Sequence, residues 1–128
     1  MMRIRHFLLV LSLLMTSWVA SAQVSFTVDA PALTAMGQPF RVAFTVDAKP
    51  EDGSFKAPSF SDFDILAGPS VSTGHSVQFI NGKQSSSYNC TYTYTLMPRE
   101  EGTFTIGAAS IVVDGKSYTT KSLPIEVI

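Results

Sequence analysis

Cys90 and His75 are the two side chains beyond the first few residues whose types could support nucleophilic chemistry. A cysteine nucleophile needs a base within hydrogen-bond reach, and His75 is the one histidine after His6. The two residues lie on either side of Asn81-Gly82, a dipeptide that favours a tight hairpin, so the strands that carry them are expected to pair. The stretch around Cys90, "YNCTYTYTL", argues for a different role. Period two places Cys90 on one face with Tyr88, Tyr92, Tyr94 and Leu96, leaving Asn89 and Thr91, Thr93 and Thr95 on the other. A thiol in line with three aromatic rings and a leucine is expected to pack as a small apolar side chain. No motif supplies the helix start or oxyanion-hole loop that such a nucleophile uses. Catalytic residues are therefore expected to be none, and the chain is not expected to be an enzyme.

Carboxylates are the other group with chemical potential. "SDFD" sets Asp62 and Asp64 on one face of a strand start, and Glu51-Asp52 lies in the loop before it. Loop acids of this kind hold calcium in some extracellular β-sandwiches, but the ligand density and glycine placement of a calcium loop are missing here. A calcium- or glycan-binding β-sandwich module is accordingly the alternative reading, and the leading one expects no metal and no cofactor. A lone histidine without a second His or Cys beside it does not make a transition-metal site. "NCT" at Asn89–Thr91 fits the glycosylation pattern but falls in the middle of a strand pattern.

These residues belong to a chain of 128 whose start reads as an export signal. Arg3 and Arg5 precede the apolar run "FLLVLSLLM", and "ASA" at Ala20–Ala22 offers a small-x-small cleavage site. Residues 1–22 are thus expected to be a secretory signal peptide, removed before Gln23. The apolar run is short against the ~20 residues that a spanning helix needs. The remaining 106 residues suit one domain with one core. They carry seven Lys/Arg against ten Asp/Glu, a formal charge of −3, with no basic run. Nucleic acid is not an expected partner, since its phosphates call for clustered cations. No second long apolar stretch predicts a membrane helix in the processed chain, and a single cysteine cannot form an internal disulfide. The expected location is the periplasm, or the periplasmic face of the inner membrane if the natural product is longer.

After residue 23 the hydrophobic period is two almost throughout. "VSFTV" (Val24–Val28), "FRVAFTV" (Phe40–Val46) and "FDIL" (Phe63–Leu66) read as strands, the last closed by "AGP". "VSTGHSVQFI" and "KQSSSYNCTYTYTL" form a hairpin around Asn81-Gly82, and "TFTIGAASIVV" and "KSYTTKSLPIEVI" form another around Asp114-Gly115. About seven strands with no helical stripe predict an all-β, immunoglobulin-like antiparallel β-sandwich spanning residues 23–128. A small open barrel is the competing architecture. Ile128 coincides with the end of the last expected strand.

In order along the chain, "VSFTVDAP", "GQPFRVAFTVD", "FKAPSFSDFDILAGPSVSTG" and the stretch from "FINGKQSSSYNCTYTYTLMPREEGTFTI" to "SLPIEV" resemble the N-terminal region of the BatD (Bacteroides aerotolerance, or oxygen-tolerance) family. The resemblance is continuous over residues 24–128, and "FxxPSFxxFDILxGPS" and "YTYTLxPxxxGTFTI" carry most of it. It implies an exported, non-catalytic protein-interaction module of the bacterial cell envelope, linked to oxygen or stress tolerance. It also implies envelope partners, among them von Willebrand factor A domain proteins of the same system. Family members resemble stacks of immunoglobulin-like domains ending in a membrane helix. This chain stops after the first such domain, as either a piece of a longer protein or a free-standing relative.

For a module of that kind, candidate partner-binding residues are aromatic or turn residues in exposed segments. Phe55 and Phe60 sit in the Pro/Gly-containing loop Glu51–Ser61, either facing a partner or capping the sandwich from beneath. Phe79 and Asn81 lie in the "SVQFINGKQSSS" hairpin, which could accept a partner strand along a free edge.

Overall fold

The computed structural model describes residues 23–128, so the expected signal peptide lies outside the described residues. Alternation dictates the first pairings. In β3 (Phe40–Val46) the side chains of Phe40, Val42, Phe44 and Val46 are all buried, and the residues between them are not. β5 (Lys83–Pro98) runs antiparallel to β3, setting Phe40 opposite Leu96, Val42 opposite Tyr94, Phe44 opposite Tyr92 and Val46 opposite Cys90. Directly opposed residues in an antiparallel pair share a face, so these two rows make one apolar surface. β1 (Phe26–Asp29) extends the sheet beyond β3, and β4 (Phe63–Ile80) extends it beyond β5, in the order β1-β3-β5-β4.

Against that surface lie a three-stranded sheet and a two-stranded one. β6 (Gly102–Ile106) and the two-residue β2 (Leu33–Thr34) flank β9 (Leu123–Val127), while β7 (Ser110–Val113) pairs with β8 (Lys116–Thr119). Ile106, Ile111, Val113, Ile125 and Val127 from this layer join the core cluster with Phe44, Leu96 and Cys90. The result is the antiparallel β-sandwich that the sequence predicts, with one parallel contact, between β2 and β9. None of the described residues forms a helix long and apolar enough to cross a membrane.

The strand boundaries differ from expectation in three ways, each for a physical reason. "AGP" does not end the "FDIL" strand. Its ladder with β5 shifts register at Ala67 and again before Ser70, and then continues to the hairpin turn, so β4 is one strand of 18 residues. Gly68 makes the detour feasible. Its φ is +121°, and a Cβ there would stand 2.8 Å from the carbonyl oxygen of Thr93. "TFTIGAASIVV" divides into β6 and β7 because the chain changes sheets between them, and "KSYTTKSLPIEVI" divides likewise into β8 and β9. The two crossing points are tied together. The buried Thr120 accepts the Ala109 N–H at its Oγ1 (2.9 Å) and donates its own N–H to the Ala109 carbonyl (3.0 Å). The third departure is β2, which gains strand character only by pairing with the distant β9.

Candidate functional site

Cys90 occupies the position its alternation predicts, 3% exposed, between Val46 on β3 and Thr73 on β4. His75 sits two pairs further out and faces Tyr88, with ring centroids 6.3 Å apart. The two residues thus belong to different cross-strand pairs. Cys90 is a free, buried thiol, and no hydrogen bond joins it to His75 among the described residues. The neighbouring phenols are the perturbed groups. Burial raises Tyr92 above the ordinary tyrosine range, with the adjacent Cys90 thiol adding to the effect, and burial also raises Tyr94.

Asp62 and Asp64 do not converge on a common point with a third ligand. No group of three His, Cys, Asp or Glu side chains among the described residues is placed to hold a metal ion. Asp64 is engaged by Arg99, whose Nε donates to its carboxylate at 2.8 Å. The same guanidinium donates to the carbonyls of Ser61 and Phe63, which fastens the start of β4. Glu51 has a local task as well, accepting the Gly115 N–H in the β7–β8 turn at 3.2 Å.

The four residues singled out for partner binding fall into two pairs. Phe60 is 7% exposed and packs 4.9 Å from Tyr94, and Phe55 is half-buried, stacked on Tyr92. Both rings belong to the core's aromatic cluster, and Phe60 offers no surface to a partner. Their loop is held down too. Glu51 N–H donates to the Val112 carbonyl, Lys56 and Ser110 exchange two backbone bonds, and Ser54 bonds Val112 through its hydroxyl. Phe79, by contrast, is 73% exposed. Asn81 forms the turn beside it, with φ of +52° followed by Gly82 at +76°, the positive values a two-residue hairpin turn requires.

The hairpin that carries Phe79 and Asn81 projects from the sandwich. β3 stops opposite Cys90, so from Asn89 to Lys83 strand β5 has only β4 as a neighbour among the described residues. Seven residue pairs make a two-stranded ribbon roughly 20 Å long at the usual rise of a strand. Among the described residues the outer edge of β4 has no neighbouring strand, and between Ser70 and Ile80 it contains no Asp, Glu, Lys, Arg or Pro. Edge strands are normally blunted with such residues. Register fixes the faces of this edge. Val71, Thr73, His75, Val77 and Phe79 continue the core side of the sheet, and Ser70, Ser72, Gly74, Ser76 and Gln78 lie on the other. Val71 and Val77 are 57% and 44% exposed. Where the ribbon leaves the sandwich, the core side forms a cleft of about 240 Å³ between Val71, Thr73, Tyr88 and Tyr92 and the loop Lys49–Gly53. Sequence reasoning found the hairpin and a free edge on it, but missed the length of the open β4 edge and the exposure of its inner face. The available signal was the run "QSSS" on β5, which supplies no apolar side chain to bury.

Comparison with known proteins fits this architecture to a family. A family profile described as "BatD DUF11 like domain" matches residues 21–127. Curated proteins yield no match. Among solved structures, the chain is similar to the CARDB domain of the PF1109 protein from Pyrococcus furiosus, determined in complex with di-metal ions. Identity is 15% and the TM-score 0.42, over 82% of this chain and 92% of that one. With the profile spanning the whole sandwich, from β1 through β9, this chain belongs to the BatD family.

Proposed function

We propose that this domain is an exported, non-catalytic protein-interaction module of the bacterial envelope, and that the β4–β5 ribbon is its contact element. The observation that carries the proposal is the open edge Ser70–Ile80. It is uncharged, long, and lined on its core side by exposed Val71, Val77 and Phe79. Such an edge adds strands readily: backbone hydrogen bonds supply affinity, and alternate side chains supply specificity. Its BatD-type domain is in keeping with a role at the cell envelope, and the reading extends to oxygen or stress tolerance and to von Willebrand factor A domain proteins as partners of the module as a whole. Periplasmic location is part of the same proposal and rests on the export signal in residues 1–22.

A photo-crosslinking residue placed at Phe79 in living cells tests it. The expected result is a discrete crosslinked band in the envelope fraction, lost when Val77 is changed to Lys. Crosslinks that form equally well from Tyr118, on the β7–β8 hairpin, would remove the ribbon from its role. A cytoplasmic distribution of the protein would remove the envelope assignment.

A further inference from the structure

We propose that the strand occupying the open β4 edge is the same edge of a second copy of this chain, paired antiparallel about a two-fold axis through His75. This rests on the ribbon being the contact element, and it specifies what the ribbon contacts.

The argument starts from edge length alone. The unprotected edge runs from Ser70 to Ile80, so its midpoint is His75. Two identical antiparallel edges overlap completely only when His75 lies opposite His75, and Ser70 then lies opposite Ile80 of the second copy. An axis normal to the sheet keeps both core sides on one side, as continuous pairing requires. That register has a consequence that did not enter its choice. It sets Phe79 opposite Val71 of the second copy, on the core side. Val71 lines the cleft at the ribbon base, together with Thr73, Tyr88 and Tyr92. Each exposed ring thus arrives at the mouth of the other copy's cleft, an aromatic anchor at a pocket. Three features that the isolated domain does not use are accounted for together: the uncharged edge, the 73% exposed Phe79, and the cleft.

Size is consistent with a stable pair. A ladder about 35 Å long on a sheet edge about 10 Å deep, with a phenyl group that can bury about 150 Å² on each side, removes about 1,000 Å² in all, the lower bound for a specific interface. The product is a continuous eight-stranded sheet, β1-β3-β5-β4 followed by β4-β5-β3-β1 of the second copy. Neither sheet then has an unprotected long edge, which is how natural β-proteins avoid open-ended association.

Cysteine placement reads the register directly. In the purified full chain, His75→Cys puts two thiols on directly opposed residues, about 5 Å apart between Cα atoms, within disulfide range. Thr73→Cys places its two copies about 14 Å apart in that register, beyond reach. Cys90 is buried and stays in place, so the unmodified chain is the control. The expected result under mild oxidation is a linked dimer from His75→Cys, at least ~10-fold above Thr73→Cys. Adding Phe79→Lys, at an exposed position, should reduce it to background. Equal linkage at both positions would mean unspecific association and overturn the proposal. So would absence of linkage together with a monomer in sedimentation at ~100 µM. If the Phe79 photo-crosslink then still captures a different envelope protein, the ribbon keeps its role as contact element and only the second copy is excluded. If it captures none, both readings fall.

Discussion

The ring of Phe55 lies flat on the ring of Tyr92, with centroids 3.9 Å apart and planes inclined by 2°. Phe55 comes from the irregular loop between β3 and β4, and Tyr92 from the middle of β5, so the stack clamps the loop onto the sheet. Phe26 and Phe44 close around the same ring at 6.5 and 5.8 Å, each at a steep angle. Because Tyr92 also lines the cleft at the ribbon base, the stack joins the core to the candidate contact surface.

Removing that ring should therefore cost stability and loosen the loop together. Phe55→Ala deletes a half-buried aromatic with four ring neighbours, and about 2–3 kcal/mol is expected, below the range for a fully buried phenylalanine. Urea unfolding gives the free energy. Hydrogen exchange should show lost protection at the Glu51 and Lys56 amides, which bond the β7 backbone from this loop. An unchanged midpoint would place Phe55 outside the core and restore it as a candidate for partner contact.

The raised phenols of Tyr92 and Tyr94 give an alkaline signature. Burial holds both groups protonated in the folded chain beyond the point where the unfolded chain releases its protons. Above about pH 10 the unfolded state therefore binds fewer protons than the folded one, and stability falls as pH rises. Below that pH the two states are equally protonated at these residues, and their contribution is fully present and flat. Thermal melts from pH 7 to 11 should show a plateau and then a decline on the alkaline side. The decline should be shallower in Tyr92→Phe. A decline of the same slope in the variant would assign it to other groups.

Much of this architecture was legible in local pattern. Alternation in "FRVAFTV" and "YNCTYTYTL" fixes which side chains of β3 and β5 face inward, Cys90 among them, because period two has only two solutions and one buries the aromatics. Asn81-Gly82 and Asp114-Gly115 declare their turns, and Asn81 and Asp114 have the positive φ values those turns demand. What stayed hidden depends on distant partners. The division of β6 from β7 reflects which strand each one meets, and β2 exists only through β9. The loop aromatics could face in or out on sequence grounds alone, and the stack on Tyr92 decides Phe55. A free edge on the hairpin was expected, but how far the ribbon extends past the sandwich was unreadable for a related reason. It follows from where β3 ends relative to β5, a property of the sheet rather than of any single stretch.

Gly68 should be intolerant of a side chain. Alanine there would bring its Cβ to 2.8 Å from the Thr93 carbonyl oxygen and 2.9 Å from Cδ1 of Tyr94, on a residue held at φ +121°. Backbone strain and overpacking are each worth about 1–3 kcal/mol, so Gly68→Ala is expected to destabilise by about 2–4 kcal/mol. Gly74→Ala, on the same strand with no atom within 4 Å of its Cβ position, is the matched control and should be near neutral. Equal effects in the two variants would mean that the bulge relaxes at no cost.

Cys90 tests whether the core extends to the foot of the ribbon. The residue is 3% exposed, yet it borders the cleft beside Tyr88 and Tyr92. A buried thiol reacts only through opening of the structure that covers it, so labelling by a thiol reagent reports local stability. In the native chain the rate should be at least ~100-fold below the denatured rate, and sub-denaturing urea should raise it. Phe55→Ala should accelerate it as well, because the stack on Tyr92 lies one pair away on the same face. Native labelling at the denatured rate would show that the cleft reaches the sulfur and that the core ends at Tyr92. If labelling is slow but insensitive to Phe55→Ala, Cys90 is protected by the β3–β5 ladder rather than by the loop.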